Sequence, residues 1–237
     1  MDAPSNETTW APQSRPVAEL GTEERSAFLV RTYVHLYGAI VAFTLLEAFL
    51  FASGLALPIA QAMLGTSWLL VLGGFVVVSW IASHVAHRAA SLPAQYAALA
   101  GYVVAEAIVF VPLLVIAQFY APGTIQSAAL VTLLGFAILT GVAVWTRQDL
   151  TFLGGILRWA FGVALLLIAA SLVFGFNLGS MFSVAMVGLA GAAILYDTSK
   201  VMHHYPEDRY VGASLELFAS VALMFWYVLR LFMSSDD

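Results

Sequence analysis

Seven apolar runs, each long enough to cross a hydrocarbon core as a helix, constrain this chain more than any motif in it. A core about 30 Å thick takes roughly 20 apolar residues, because a helix rises about 1.5 Å per residue. The runs cover residues 32–53, 67–84, 95–120, 125–145, 150–174, 178–202 and 211–232. In lipid, backbone amides and carbonyls have no water to bind, so a helix that satisfies them internally is the form such runs take. The breaks between them hold helix-stopping residues: Gly54 and Pro58, Pro93, Pro122 and Gly123, Asp149 as an N-cap, Gly175 and Asn177, then Pro206. With 62% hydrophobic and 10% charged residues, the composition lies outside the range of soluble domains. The expected fold class is an all-α integral membrane protein with seven transmembrane helices.

Ahead of the first run, residues 1–27 carry Pro4, Pro12 and Pro16 among polar side chains and lack the apolar core of a signal peptide. They are expected to form a disordered polar cytoplasmic tail, with one helical turn at its end where Thr22 caps residues 23–27. Residues 28–237 are expected to form the transmembrane domain. Asn6, Glu7 and Thr8 spell a glycosylation sequon, which the orientation below places on the cytoplasmic side.

Orientation follows from the basic residues, which collect in short cytoplasmic loops. Arg15, Arg25 and Arg31 precede the first run, Arg88 follows the second, Arg147 and Arg158 flank the junction of the fourth and fifth, and Lys200 and Arg209 flank the last loop. The loops around Pro58, Pro122 and Asn177 carry neither Lys nor Arg. The expected topology has the N-terminus in the cytoplasm and the C-terminus outside, with Arg230 snorkelling to the far interface.

Against this background a few intramembrane acids stand out, since an ionisable group at such depth reads as an ion, proton or substrate site. Asp197 ends the sixth run and Glu216 begins the seventh, so the two acids of this hairpin lie at similar depth and could face one another. Two carboxylates in a poorly hydrated site do not both ionise easily; they share a proton or hold a cation. Glu106, inside the third run, is expected to face a cavity. Glu47 lies deep in the first. In the sixth run, Gly188 and Ala192 offer a small face for close packing.

Enzymatic patterns fit poorly. With no cysteine in the chain, disulfides, thiolate metal sites and cysteine nucleophiles are excluded. His84, His87, His203 and His204 lie on one side of the membrane but lack a His-x-x-x-His pair for zinc. Gly212-Ala213-Ser214 resembles a serine-protease turn with no histidine after it to act as base. Asp197 is the sole aspartate in a membrane run, which leaves an aspartyl protease without its second acid, and no lysine lies in a helix core to hold a retinal. The net charge of −5 comes without a basic patch for nucleic acid. The expectation is no enzyme activity, no cofactor and no resident metal.

The pieces Thr146-Arg147-Gln148-Asp149-Leu150-Thr151-Phe152-Leu153-Gly154, Leu195-Tyr196-Asp197-Thr198, Ser214-Leu215-Glu216-Leu217-Phe218 and Leu229-Arg230-Leu231-Phe232, in this order and spacing, resemble the Bax inhibitor-1 superfamily, and within it the bacterial YccA-like branch. Arg31-Thr32-Tyr33 and Glu106 add weaker support. The resemblance implies six helices around a central C-terminal helix and a place in a bacterial inner membrane. For some members it implies a pH-sensitive calcium leak, built from an aspartate on each of the last two helices and a basic latch from the second. Asp197 matches the first aspartate and Arg88 the latch, whereas the second aspartate's position holds Ser220, which cannot carry a charge. Glu216, one helical turn earlier on the same face, is the candidate stand-in. For the YccA-like branch the resemblance implies a different role, binding and modulating a membrane-anchored ATP-dependent protease, which an exposed N-terminal tail would suit. Two readings therefore stay open: a cation leak through Asp197, Glu216 and Glu106, or a protease modulator without transport activity.

Overall fold

A computed structural model of the chain describes residues 15–88 and 91–234. The sequon at Asn6 and the first part of the expected tail lie outside these residues, as does the side chain of His87. Among the described residues the chain is helical without strands, in the order α1 Thr22–Ala52, α2 Ala56–Leu64, α3 Trp68–Arg88, α4 Leu92–Tyr120, α5 Thr124–Thr146, α6 Leu153–Phe174, α7 Gly179–His203 and α8 Tyr210–Met233. Seven of these, all but α2, are long and apolar enough to cross a membrane. Their outward faces carry large apolar side chains such as Trp80, Ile138, Trp159 and Leu166. A soluble protein of this size rarely shows so much, and lipid is the medium that covers it.

The last helix is the centre of the bundle. Over half of the apolar window of α8 is buried (56%), and it packs against α7, α1, α5, α4 and α3. Phe218 of α8 meets Phe43 of α1 and Tyr102 of α4 edge-on, and Trp226 meets Phe110 of α4 in the same way. By contrast α6 joins the bundle through α7 and α3, which leaves space between α6 and α8.

Two close approaches fix how α8 and α7 sit. A Cβ at Gly212 would lie 2.8 Å from the Ala86 carbonyl oxygen, so the start of α8 crosses the end of α3 where glycine alone fits. A Cβ at Gly154 would lie 2.8 Å from the Tyr196 ring, which fills the gap between α6 and α7. Gly188, expected on a close-packing face, has nothing within 4 Å of its would-be Cβ; Gly191, the next turn on, meets Leu139 at 3.3 Å instead.

Three further expectations need correction. Helix α2 was not expected, because Pro58 reads as a stop; it falls in the first turn of α2, where its missing N–H has no intrahelical partner to lose. Residues 15–27, assigned to the tail, are structured: a single 3-10 turn, Val17–Glu19, precedes α1, which starts at Thr22. Val17 and Leu20 are buried in the same core as Val201, Tyr205 and Val211, and that burial orders the segment. Asp149 does not cap α6, whose N-cap is Phe152. Its carboxylate instead accepts from the Thr151 amide at 3.0 Å and the Thr151 hydroxyl at 2.6 Å, a local turn that competes with capping.

Candidate functional site: an acid-lined cavity beside the central helix

The space between α6 and α8 is a cavity of about 1080 Å³. Its lining on α8 runs from Leu215 to Arg230, which at about 1.5 Å per residue is roughly 22 Å of depth. Most of the wall is apolar, from residues such as Phe75, Phe161, Leu223 and Trp226. Into it open three carboxylates, Asp197, Glu216 and Glu106, together with Arg158 and Arg230.

The α7–α8 hairpin presents two polar rungs one helical turn apart. In the inner rung the Ser220 hydroxyl donates to Asp197 Oδ2. In the outer one Lys200 Nζ donates to both Glu216 oxygens, at 2.7 and 3.0 Å. Antiparallel helices dictate this order: Lys200 is one turn after Asp197, and Glu216 one turn before Ser220. Asp197 and Glu216 thus line one cavity but stand one helical turn apart along it, on separate rungs. Their direct partners differ from the facing pair of acids that the sequence suggested: Asp197 meets Ser220, and Glu216 meets a cation.

Glu106 is buried and reached by a hydrogen bond from the Tyr102 hydroxyl at 2.8 Å, one turn away on α4. Helix α4 continues through Pro112, which cannot donate to the carbonyl four residues earlier. Arg88, the candidate latch, lies exposed at the end of α3. Glu47 of α1 is buried with neither carboxylate oxygen hydrogen-bonded, outside the cavity lining.

Beneath the outer rung the loop between α7 and α8 adds Tyr205, which sequence reasoning missed. Lys200 Nζ sits 5.3 Å from the centre of its ring, and its phenol bonds the Glu216 carboxylate. Burial first, and then the Glu216 charge, push that phenol well above its ordinary pKa. Lys200 itself was legible in principle, being a lysine one turn from Asp197 in a membrane helix. Tyr205 was not, since a loop aromatic carries no periodic signal.

On the same side the α5–α6 junction is tied to the end of α7. The Leu150 amide donates to Ser199 Oγ at 2.8 Å, and Asp149 Oδ2 lies 2.8 Å from His204 Nε2. With Gly154 against Tyr196, these contacts join two of the motif pieces singled out in the sequence.

This architecture, seven candidate spans with a central C-terminal helix and an acid-lined cavity, defines a class of helical membrane protein. The chain belongs to the Bax inhibitor-1 family: the family model described as inhibitor of apoptosis-promoting Bax1 matches residues 25–237. It is also 34% identical over 109 residues to an uncharacterised protein of Pseudomonas aeruginosa. That match takes in 46% of this chain and 49% of the relative, so the chain spans about half the length of the relative it matches.

Proposed function

We propose that this protein is a regulated cation path, passing calcium or protons, rather than an enzyme. The observation that carries the reading is the cavity along α8, with Asp197, Glu216 and Glu106 opening into one apolar-walled space. Carboxylates in such a space attract cations, because the low-dielectric wall focuses their field. Among the described residues no three acidic or histidine side chains converge as a metal cage. Regulation belongs to the two rungs: Lys200 neutralises Glu216, and Ser220 holds Asp197. Arg88, exposed at the end of α3 and outside the cavity lining, is a candidate latch from the resemblance alone. The setting we propose is a bacterial inner membrane with the N-terminus in the cytoplasm and the C-terminus outside, from the distribution of basic loops.

The test is calcium and proton flux into liposomes carrying the purified protein across pH 5 to 8, wild type against Asp197→Asn. Flux above empty liposomes that changes in Asp197→Asn supports the reading. Absence of flux from folded protein overturns it.

A second reading has one observation in its favour. Because Ser220 already satisfies Asp197 by a hydrogen bond, the acid has a packing role that needs no ion. In that reading the protein modulates a membrane-anchored ATP-dependent protease, and its effect survives Asp197→Asn but not removal of the residues before Phe28.

A further inference from the structure

The N-terminal segment before α1 is bound where the polar rungs end. Val17 N–H donates to the Tyr205 carbonyl at 2.8 Å and Glu207 N–H donates to the Arg15 carbonyl at 3.1 Å, an antiparallel pairing centred on Pro16 and Pro206. Arg15 adds ion pairs to Glu24 and Glu207, each at 3.5 Å. The side chain of Val17 is fully buried, against the core that includes Tyr205 and Val201. The segment therefore does not merely lead into α1; it is seated on the loop that joins α7 and α8.

From that loop the contacts continue inward without a gap. Tyr205 gives its carbonyl to the segment, its ring to Lys200 and its phenol to Glu216. Lys200 and Glu216 in turn pair with each other, and Glu216 lines the cavity. A shift of Tyr205 moves one side of the Lys200–Glu216 pair.

We propose that residues 15–20 form a cytoplasmic strap whose docking on Tyr205 holds Lys200 against Glu216, so that release of the strap frees both charges at the cavity's cytoplasmic end. The strap is suited to reversible release. It is held by two backbone hydrogen bonds, exposed ion pairs worth little in water and the burial of two apolar side chains, a small interface of the kind that opens locally while the rest stays folded. Anything that draws on the N-terminal segment from the cytoplasm then acts on the cavity. The proposal concerns the coupling alone and stands whether or not ions cross the protein.

Lys200 provides the readout, because it is the one lysine in the sequence. Its acylation by a water-soluble amine reagent, followed by mass spectrometry on the full-length protein in detergent, reports its release without interference from other side-chain amines. Glu216→Gln sets the rate for an unpaired Lys200. Val17→Asp, which puts a charge in the strap's buried seat, should raise the Lys200 rate at least about fivefold, since local opening governs the reactivity of a protected group. Combined with Glu216→Gln it should add less than about twofold, because both changes act through one contact. A Val17→Asp rate within twofold of wild type, with Glu216→Gln clearly faster, overturns the proposal.

A second variant keeps the test independent of the stability of Val17→Asp. Pro16→Cys with Pro206→Cys joins the paired positions by a disulfide in a chain that otherwise has no cysteine. Lys200 should react at least about threefold more slowly in the oxidised form than in the reduced one, as the closed strap can no longer open. Equal rates in the two forms overturn the coupling.

Discussion

The Ser220 hydroxyl donates to the carboxylate of Asp197 across the α7–α8 contact, so a side chain without charge occupies the place opposite the membrane acid. Both residues are buried, at 7% and 8% exposure. A hydrogen bond to a charged group in such a place contributes about 1.5–3 kcal/mol. Ser220→Ala should lower stability by that amount, measured by reversible unfolding in mixed micelles. Ser220→Thr, which keeps the hydroxyl, should lose less.

The outer rung gives a second prediction. Lys200 and Glu216 are each partly buried, with side-chain exposures of 28% and 17%. Removing one partner leaves the other charge poorly solvated, so Lys200→Met and Glu216→Gln should each destabilise by about 1–3 kcal/mol. The double variant should be less damaged than the sum of the two, with a coupling of about 1 kcal/mol or more in a double-mutant cycle. Additive losses would show that the pair contributes nothing as a pair.

Glycine positions separate close approach from mere flexibility. Gly212→Ala drives a methyl against the Ala86 carbonyl, and backbone on both sides leaves little room to yield. The expected cost is about 1–3 kcal/mol. Gly188→Ala, with open space around it, should leave stability unchanged or raise it by up to about 1 kcal/mol, as alanine is the better helix former. Thermal unfolding of the two variants side by side checks the contrast.

Asp149 gives the pH dependence of the α5–α6 junction. Hydrogen bonds from the Thr151 side chain and amide, then from His204, hold its carboxyl well below the usual carboxylate range. A depressed folded pKa means that the charged form is favoured in the folded state. The stabilisation is therefore present above the unfolded pKa and is lost as pH falls through the lower, folded one. Wild type should melt above Asp149→Asn at pH 7, and the gap should shrink progressively as the solution is taken below about pH 4. Because the group is exposed, the gap itself is small.

The limits of the sequence are clear from particular residues. All seven long helices were legible, because apolar length alone identifies a span. Helix α2 was hidden by Pro58, whose meaning depends on whether it stands in the first turn or beyond it. That Asp197 and Glu216 belong to one hairpin could be read from their distance to the loop, but the register of α7 against α8 could not. A shift of one turn replaces a pair of facing acids by Asp197 with Ser220 and Lys200 with Glu216. The strap was missed for a different reason. Val17 and Leu20 are two apolar residues in a polar stretch, too few for a periodic signal, and their burial depends on a loop nearly 190 residues away. Asp149 sat where a cap belongs, yet Thr151 and His204 compete for it.

If cations cross through the space between α6 and α8, a bulky group fixed there blocks them. Leu223 lines that space near the middle of its length on α8, and Leu223→Cys would be the one thiol in the chain. The deciding measurement is calcium and proton flux through Leu223→Cys in liposomes before and after reaction with a bulky cationic thiol reagent, with wild type treated in parallel. Flux should fall to the level of empty liposomes on labelling and return when the label is reduced off, while wild type is unaffected. Flux that persists in fully labelled protein would contradict the proposed path.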